Sequence, residues 1–267
     1  MIAPGPGSAP VPASGPDVAG RRALSGRSVA VWSVRTDPPP AVAARLEALL
    51  APDEIARANR FLGEHLRSAY VAAHGALRIL LGRYAGIAPR DVRLTCGAQG
   101  KPALAPPAGV GFNLSHSGHL ATFAFALDCE LGIDVEHERP VADLQAIAAR
   151  FFSPDEALEL SGVHPAAERE RAFFRCWTRK EAYVKAVGTG LSTPLDSFRV
   201  TLRTGEPPRL MGVGGDRRGL EDWNLHALAP APGYVAALAY RGARRPVHVF
   251  PVQGAAELPG QEVEPRS

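Results

Sequence analysis

The chain has 267 residues, 46% hydrophobic and 21% charged, which is enough apolar content to bury a core and excludes wholesale disorder. A net charge of +3 without a block of five or six basic residues gives no nucleic-acid footprint, and no apolar run approaches the roughly 20 residues of a membrane span. Three widely spaced cysteines, Cys96, Cys129 and Cys176, make neither a disulfide framework nor a metal pair, so a reduced, cytoplasmic setting is expected.

Residues 1–27 hold ten Gly or Pro and predict a flexible tail. Alternation predicts a strand over 28–34, and helical spacing predicts helices over 41–50, 53–62 and 66–84, the last ended by Gly86. Strands at 92–95, 111–114 and 120–127 follow, with a turn at 97–102. A second series then begins with a strand at 132–136 and a helix at 141–150. Ser153, Pro154 and Glu156 write a capping box, and a long helix over 166–187 is closed by Gly188. Strands are expected at 198–202, 224–227, 234–240 and 247–252, with Arg217 and Arg218 exposed between them and a polar tail at 259–267. The order of elements predicts an α+β fold of two similar halves, 28–129 and 130–252, related by a pseudo-twofold. Residues 253–267 would form the tail, and any site would lie in the cleft between the halves. The likeness of the halves is one of order, with no sequence repeat apparent.

Asp134 and Glu136 alternate in a predicted strand, so both carboxylates point to one face. Side by side they repel unless a cation lies between them, and Mg²⁺ suits few carboxylates plus water and phosphate. A solvated surface pair is the other reading. Trp177, Glu181, Val184 and Lys185 share one helix face. Glu181 could be a third ligand and Lys185 a phosphate partner; otherwise they are an exposed Glu–Lys pair. The run Phe112-Asn113-Leu114-Ser115-His116-Ser117-Gly118 leads a strand into a turn whose hydroxyls, imidazole and backbone N–H groups suit an anion. It lacks the Gly-x-Ser-x-Gly of a hydrolase elbow. Of 30 Lys plus Arg only Lys101, Lys180 and Lys185 are lysines, which suggests that a compact ammonium is required at those places.

Taken in order, Gly100-Lys101-Pro102, Phe112 to Gly118, Gly132-Ile133-Asp134-Val135-Glu136 and Trp177-x-x-Lys180-Glu181-Ala182-x-x-Lys185 resemble the 4'-phosphopantetheinyl transferases. The likeness is to the longer single-chain type serving nonribosomal peptide and polyketide synthases of secondary metabolism. Gly190 to Phe198, and Arg60-Phe61 through Ala76-Leu77-Arg78, match as well. The resemblance spans roughly residues 29–240.

The resemblance implies transfer of the phosphopantetheine arm of coenzyme A to a serine of an apo acyl or peptidyl carrier protein, releasing adenosine 3',5'-bisphosphate. Mg²⁺, or Mn²⁺ in its place, would be held by Asp134, Glu136 and Glu181. Glu181, directly or through a metal-bound water, is then the candidate base. Lys185 would hold the pyrophosphate and Lys180 the neighbouring phosphate region. Lys101, Pro102, Ser115 and His116 fall on the nucleotide end, and Arg57, Arg67 and Arg78 on the segment facing its 3'-phosphate. A monomer with no nucleic-acid or membrane partner is expected. The same carboxylates and lysine also resemble a metal-dependent nuclease, but that fold alternates Glu-x-Lys on a strand, whereas Glu181 and Lys185 span one helical turn. A non-catalytic, carrier-binding relative is the remaining alternative.

Overall fold

A computed structural model describes residues 11–12, 24, 27–97, 100–107, 109–213 and 219–258. The Val-Ala-Val-Trp run forms β2 (Val29–Arg35), which pairs antiparallel with the buried β6 (Leu120–Leu127); β6 in turn pairs with β5 (Val110–Ser117). The period of two divides β2 cleanly: Ala30, Trp32 and Val34 face one core, Val29 and Val31 another. The first core is closed by α1 (Pro40–Glu47), α2 (Pro52–Ala58) and the 22-residue α3 (Glu64–Ala85), which contributes Leu77, Leu80 and Leu81.

The second half opens with β7 (Leu131–His137), followed by α4 (Leu144–Phe151), α5 (Pro154–Ser161) and the 22-residue α6 (Ala166–Val187). Its sheet is completed by β10 (Trp223–Leu228) and β11 (Tyr234–Arg241), in the order β10-β11-β7. Alternation sends Ala237 and Ala239 toward α6, and Ala236, Leu238 and Tyr240 toward the first sheet. The two sheets meet through Val29, Val31, Ala124, Ala126, Ile133, Val135 and these β11 residues, with helices outside. The fold is α+β in two similar halves, as expected.

The halves also share a register that the element order did not reveal. Their first strands start at 29 and 131, their Pro-Asp-Glu triplets at 52 and 154, and their long helices at 64 and 166. The closing left-handed glycines are 86 and 188, so the spacing is 102 each time. Glu54 accepts a hydrogen bond from Ala51 N at 2.8 Å, and Glu156 from Ser153 N at 2.9 Å. Each cap carboxylate then reaches a cation on its half's long helix: Glu54 meets Arg78 at 2.6 Å and Glu156 meets Lys180 at 2.7 Å. This buried pair ties the short second helix to the long third in both halves.

Several expectations need correction. The second half does not run to 252. β12 (Val247–Val249) lies parallel beside β2, with the two-residue β1 (Val11–Pro12) beyond it. Phe250 stacks on Trp32 at 3.8 Å, Gln253 bridges to Val34, and Ala255 and Leu258 join the first core. Residues 247–258 therefore close the first half rather than start a tail; such long-range parallel pairing leaves no local pattern. Most of the expected tail at 1–27 lies outside the described residues, but Leu24 is buried in the first core. The tail at 259–267, with Arg217 and Arg218, also lies outside the described residues. The helix expected over 53–62 ends at Ala58, capped by Asn59, and a turn leads into α3. The expected turn at 97–102 is present, with Gly97 N donating to Lys101 O at 2.9 Å, and it leads into a strand that was not expected, β4 (Pro102–Ala105), paired with β3 (Arg93–Cys96). Its counterpart is a hairpin in which the expected strand β8 (Phe198–Val200) pairs with β9 (Leu210–Val213), which was not expected.

Candidate active site

The site is assembled on β7. Leu131, Ile133 and Val135 are buried between the sheets, so Gly132, Asp134 and Glu136 fall on the opposite face, toward α6. A Cβ on Gly132 would stand 2.2 Å from Ala182 O and 2.3 Å from Ala186 N. Only glycine permits that backbone contact, and the contact draws α6 over the strand with Lys185 beside Asp134.

Asp134 is buried, and its Oδ1 accepts hydrogen bonds from Lys185 Nζ at 2.6 Å and Ser115 Oγ at 2.8 Å. Lys185 Nζ also donates to Ser115 Oγ at 3.0 Å and to Ile133 O at 3.3 Å. The other carboxylate oxygen, Oδ2, is buried with no partner. Alternate residues of β5 hold β7 in place. Asn113 Oδ1 accepts from Ile133 N at 2.9 Å, and Ser115 meets Asp134. Ser117 Oγ donates to Glu136 at 2.8 Å and accepts from His137 N at 3.1 Å. Side chains thus join the two halves where no backbone ladder does.

The carboxylates are electrostatically crowded. Burial pushes Asp134 above the ordinary carboxylate range despite Lys185 and Ser115. Glu136 is raised by burial and by the charge of Asp134, against its bond from Ser117. Burial and the charges of Asp134 and Glu136 raise Glu181, with Lys185 opposing. His116 is lowered by desolvation and then by the positive fields of His74 and Lys185, which keeps the imidazole neutral near pH 7.

The register between halves supplies a comparison within the molecule. Positions 134, 136, 181 and 185 correspond to Trp32, Val34, Ile79 and Arg83 in the first half. There the three counterparts of the carboxylates are buried apolar residues, and Arg83 lies over the Trp32 ring at 5.9 Å. The fold builds this corner without carboxylates, so their crowding in the second half serves something other than packing. A partnerless buried Oδ2 among mutually repelling carboxylates fits a hard divalent cation. Among the described residues no three His, Cys, Asp or Glu side chains are gathered closely enough to enclose a metal by themselves.

Two expected contact residues are placed elsewhere. Lys180 is fully buried, bonded to Glu156, to Leu195 O at 2.7 Å and to Phe198 O at 2.5 Å. Arg78 is buried on Glu54, with NH1 donating to Pro89 O and Val92 O. Both are withdrawn from any ligand, because each completes the buried pair of its half. Arg67 is partly exposed and bound to Glu47 at 2.5 Å and Asn59 at 3.3 Å; Arg57 is exposed, over the Tyr70 ring at 5.9 Å. Lys101 reaches Glu130, Leu131 O and Ala186 O. With Pro102 it lines a cleft of about 480 Å³ bounded by Leu104, Phe112 and Cys129. Sequence reasoning placed Asn113 and Ser117 only in an anion-binding turn and Glu156 only in a helix cap, missing their contacts to β7 and Lys180, and it missed Glu130 altogether. The alternation Asn113-x-Ser115-x-Ser117 in an otherwise apolar strand was the available signal for the first two.

The chain is 39% identical over 217 residues to the 4'-phosphopantetheinyl transferase HetI of Nostoc sp., a match covering 80% of this chain and 88% of that protein. The chain belongs to the 4'-phosphopantetheinyl transferase superfamily. The superfamily's sequence model matches residues 130–239, the half that carries the carboxylates. The transferase Sfp of Bacillus subtilis is 31% identical over 158 residues, covering 59% of this chain and 69% of Sfp. AcpT of Escherichia coli is 46% identical over 92 residues, 34% of this chain and 47% of that protein. This chain is thus an enzyme of that class, of the longer type, and the nuclease and non-catalytic readings fall away. Among the described residues no helix is long and apolar enough to cross a membrane.

Proposed function

We propose that this transferase moves the 4'-phosphopantetheine arm of coenzyme A to a serine of an apo carrier protein of nonribosomal peptide or polyketide synthesis, in the cytoplasm. The observation that carries the reading is the socket of Asp134, Ser115 and Lys185 beside Glu136 and Glu181, set where the other half has Trp32, Val34 and Ile79. Asp134, Glu136 and Glu181 would hold Mg²⁺ or Mn²⁺, with water and phosphate oxygens completing the shell. When bound, that ion supplies charge neutralisation at the pyrophosphate.

The chain's own groups do the rest. Lys185 holds a pyrophosphate oxygen with the ammonium that Asp134 and Ser115 orient. Glu181, a carboxylate of raised proton affinity, takes the proton from the carrier serine Oγ. The serine oxygen forms its bond to the β-phosphorus as the bond to the bridging oxygen breaks, and the electron pair leaves with adenosine 3',5'-bisphosphate. Neutral His116, with Ser115 and Pro102, faces the nucleotide, and Arg57 and Arg67 lend charge to its 3'-phosphate. Intact-mass measurement of an apo carrier incubated with the protein, coenzyme A and Mg²⁺ tests this. A gain of one phosphopantetheine that needs the metal is expected; no gain with either acyl or peptidyl carriers contradicts it.

The crowded carboxylates also set a pH dependence. In the unfolded chain Asp134 and the two glutamates ionise near their ordinary values of 3.8 and 4.5, whereas the fold raises all three. Their protonated forms favour the folded state, so this stabilisation is lost as pH rises from about 4 through the raised values. Glu54 and Glu168, both lowered, act in the opposite sense and cancel between wild type and a variant. Without metal, Glu181→Gln is expected to melt at or above the wild type, with the gap widening from pH 4 to 7. Melting curves across that range check it; a gap that narrows contradicts the crowding.

A further inference from the structure

The turn at Gly118 and His119, between β5 and β6, belongs to the first half, yet the second half grips it. Tyr234, the first residue of β11, accepts a hydrogen bond from His119 N at 3.1 Å on its phenolic oxygen. That oxygen lies over Gly118, whose φ is +56° and where an added Cβ would stand 2.8 Å from it and 3.4 Å from His137 Cβ. Only a glycine admits this approach. The Tyr234 ring packs on His137 with centroids 4.8 Å apart, and Gly233 O accepts from Glu138 N at 2.8 Å, so the start of β11 is itself fixed to the end of β7. On the other side of the turn, His119 O accepts from Thr36 N at 3.0 Å. What the turn carries is Ser117, the last residue of β5. Its Oγ accepts from His137 N at 3.1 Å, and its one hydrogen is directed to Glu136 Oε2, 2.8 Å away. Arg139 NH1 approaches the same oxygen, at 3.8 Å. Both contacts fall on Oε2, so they fix the carboxylate while leaving Oε1 to meet a ligand.

We propose that Tyr234 is a positioning residue for Glu136: its hydroxyl seats the Gly118–His119 turn against the end of β7, which aims Ser117 Oγ at Oε2 and holds the carboxylate in place for a divalent ion. This rests on the reading of Glu136 as a metal ligand of the transferase. The path has an order: Tyr234 acts on the turn, the turn on Ser117, and Ser117 on Glu136. The hydrogen bond from His119 N lies at the surface, so its loss costs the fold little. A displaced Ser117, in contrast, releases a carboxylate that the charge of Asp134 already repels. Groups that hydrogen-bond a metal-ligating carboxylate govern metal affinity by roughly 10–100-fold, which makes the effect measurable.

The test uses the full-length protein as wild type, Tyr234→Phe, Ser117→Ala and the double variant. Tyr234→Phe keeps the ring on His137 and removes only the hydroxyl. Mn²⁺ is titrated into each and followed by electron paramagnetic resonance, alone and with saturating coenzyme A but no carrier protein, so that nothing turns over. Ser117→Ala is expected to weaken Mn²⁺ binding about tenfold or more, and Tyr234→Phe about three- to tenfold. The double variant should bind no more weakly than Ser117→Ala, because the hydroxyl works through Ser117. In turnover, the Mg²⁺ concentration at half-maximal rate should rise in step, while KM for coenzyme A at saturating Mg²⁺ moves less than about twofold. A tyrosine that serves the fold alone predicts a lowered melting temperature with Mn²⁺ affinity unchanged, and that result overturns the proposal. Losses that multiply in the double variant, or wild-type Mn²⁺ affinity in Ser117→Ala, also overturn it. If the wild type shows this Mn²⁺ pattern but transfers nothing, the functional reading fails and the positioning role stands. If the wild type binds no Mn²⁺ in either state, the positioning role falls with the ligand assignment, whatever the transfer assay gives.

Discussion

Lys180→Met should destabilise the protein by about 3–5 kcal/mol, because it leaves the Glu156 carboxylate buried without its cation. Both side chains are fully inaccessible, and the ammonium also satisfies Leu195 O and Phe198 O. Glu156 in turn caps α5 through Ser153 and accepts from Val200 N at 2.7 Å, so one carboxylate ties α5, α6 and β8 together. Denaturant unfolding of the wild type and variant gives the loss directly. Adding Glu156→Gln removes the stranded charge and should recover part of it. A loss under about 1 kcal/mol would mean that Lys180 does not hold the fold.

Lys185→Arg should cost roughly 100-fold in turnover while leaving the fold intact. The ammonium fits a socket of Asp134 Oδ1, Ser115 Oγ and Ile133 O at 2.6, 3.0 and 3.3 Å. Guanidinium keeps the charge but is planar and longer, so it cannot meet these partners and present a donor to the pyrophosphate at the same position. An exposed Glu181–Lys185 helix pair would accept arginine freely, yet the Lys185 side chain is only 28% exposed and its carboxylate partner is Asp134. Steady-state kinetics decide: undiminished kcat in Lys185→Arg would remove Lys185 from the reaction.

The lysine scarcity has a structural cause that the sequence only hinted at. Each of the three lysines meets one carboxylate and at least one backbone carbonyl: Lys101 with Glu130, Lys180 with Glu156, and Lys185 with Asp134. A tetrahedral head with three rotatable donors suits such sockets, and arginine serves elsewhere. The motif around Asp134, Glu136, Glu181 and Lys185 was legible because strand and helix periods place those residues on defined faces before any tertiary contact is known. What periodicity could not separate was a partly exposed lysine beside Asp134 from one sealed on a buried glutamate. Lys180 and Lys185 sit five residues apart on one helix, and only the packing of α5 against α6 decides which is which. Arg78 was misread for the same reason, since Glu54 stands 24 residues away in sequence. The internal register was hidden because its apolar positions are filled differently in each half, leaving the Pro-Asp-Glu caps and closing glycines as its visible marks.

On the proposed reaction, Asp134, Glu136 and Glu181 are present for catalysis and not for the fold. The most direct measurement is the intact mass of an apo carrier protein after incubation with coenzyme A, Mg²⁺ and either wild type or Glu181→Gln, with both proteins shown to be folded by their melting curves. The wild type should add one phosphopantetheine, and the variant none, while melting at or above the wild type. Transfer by Glu181→Gln at the wild-type rate, or loss of transfer only because the variant unfolds, would contradict the claim.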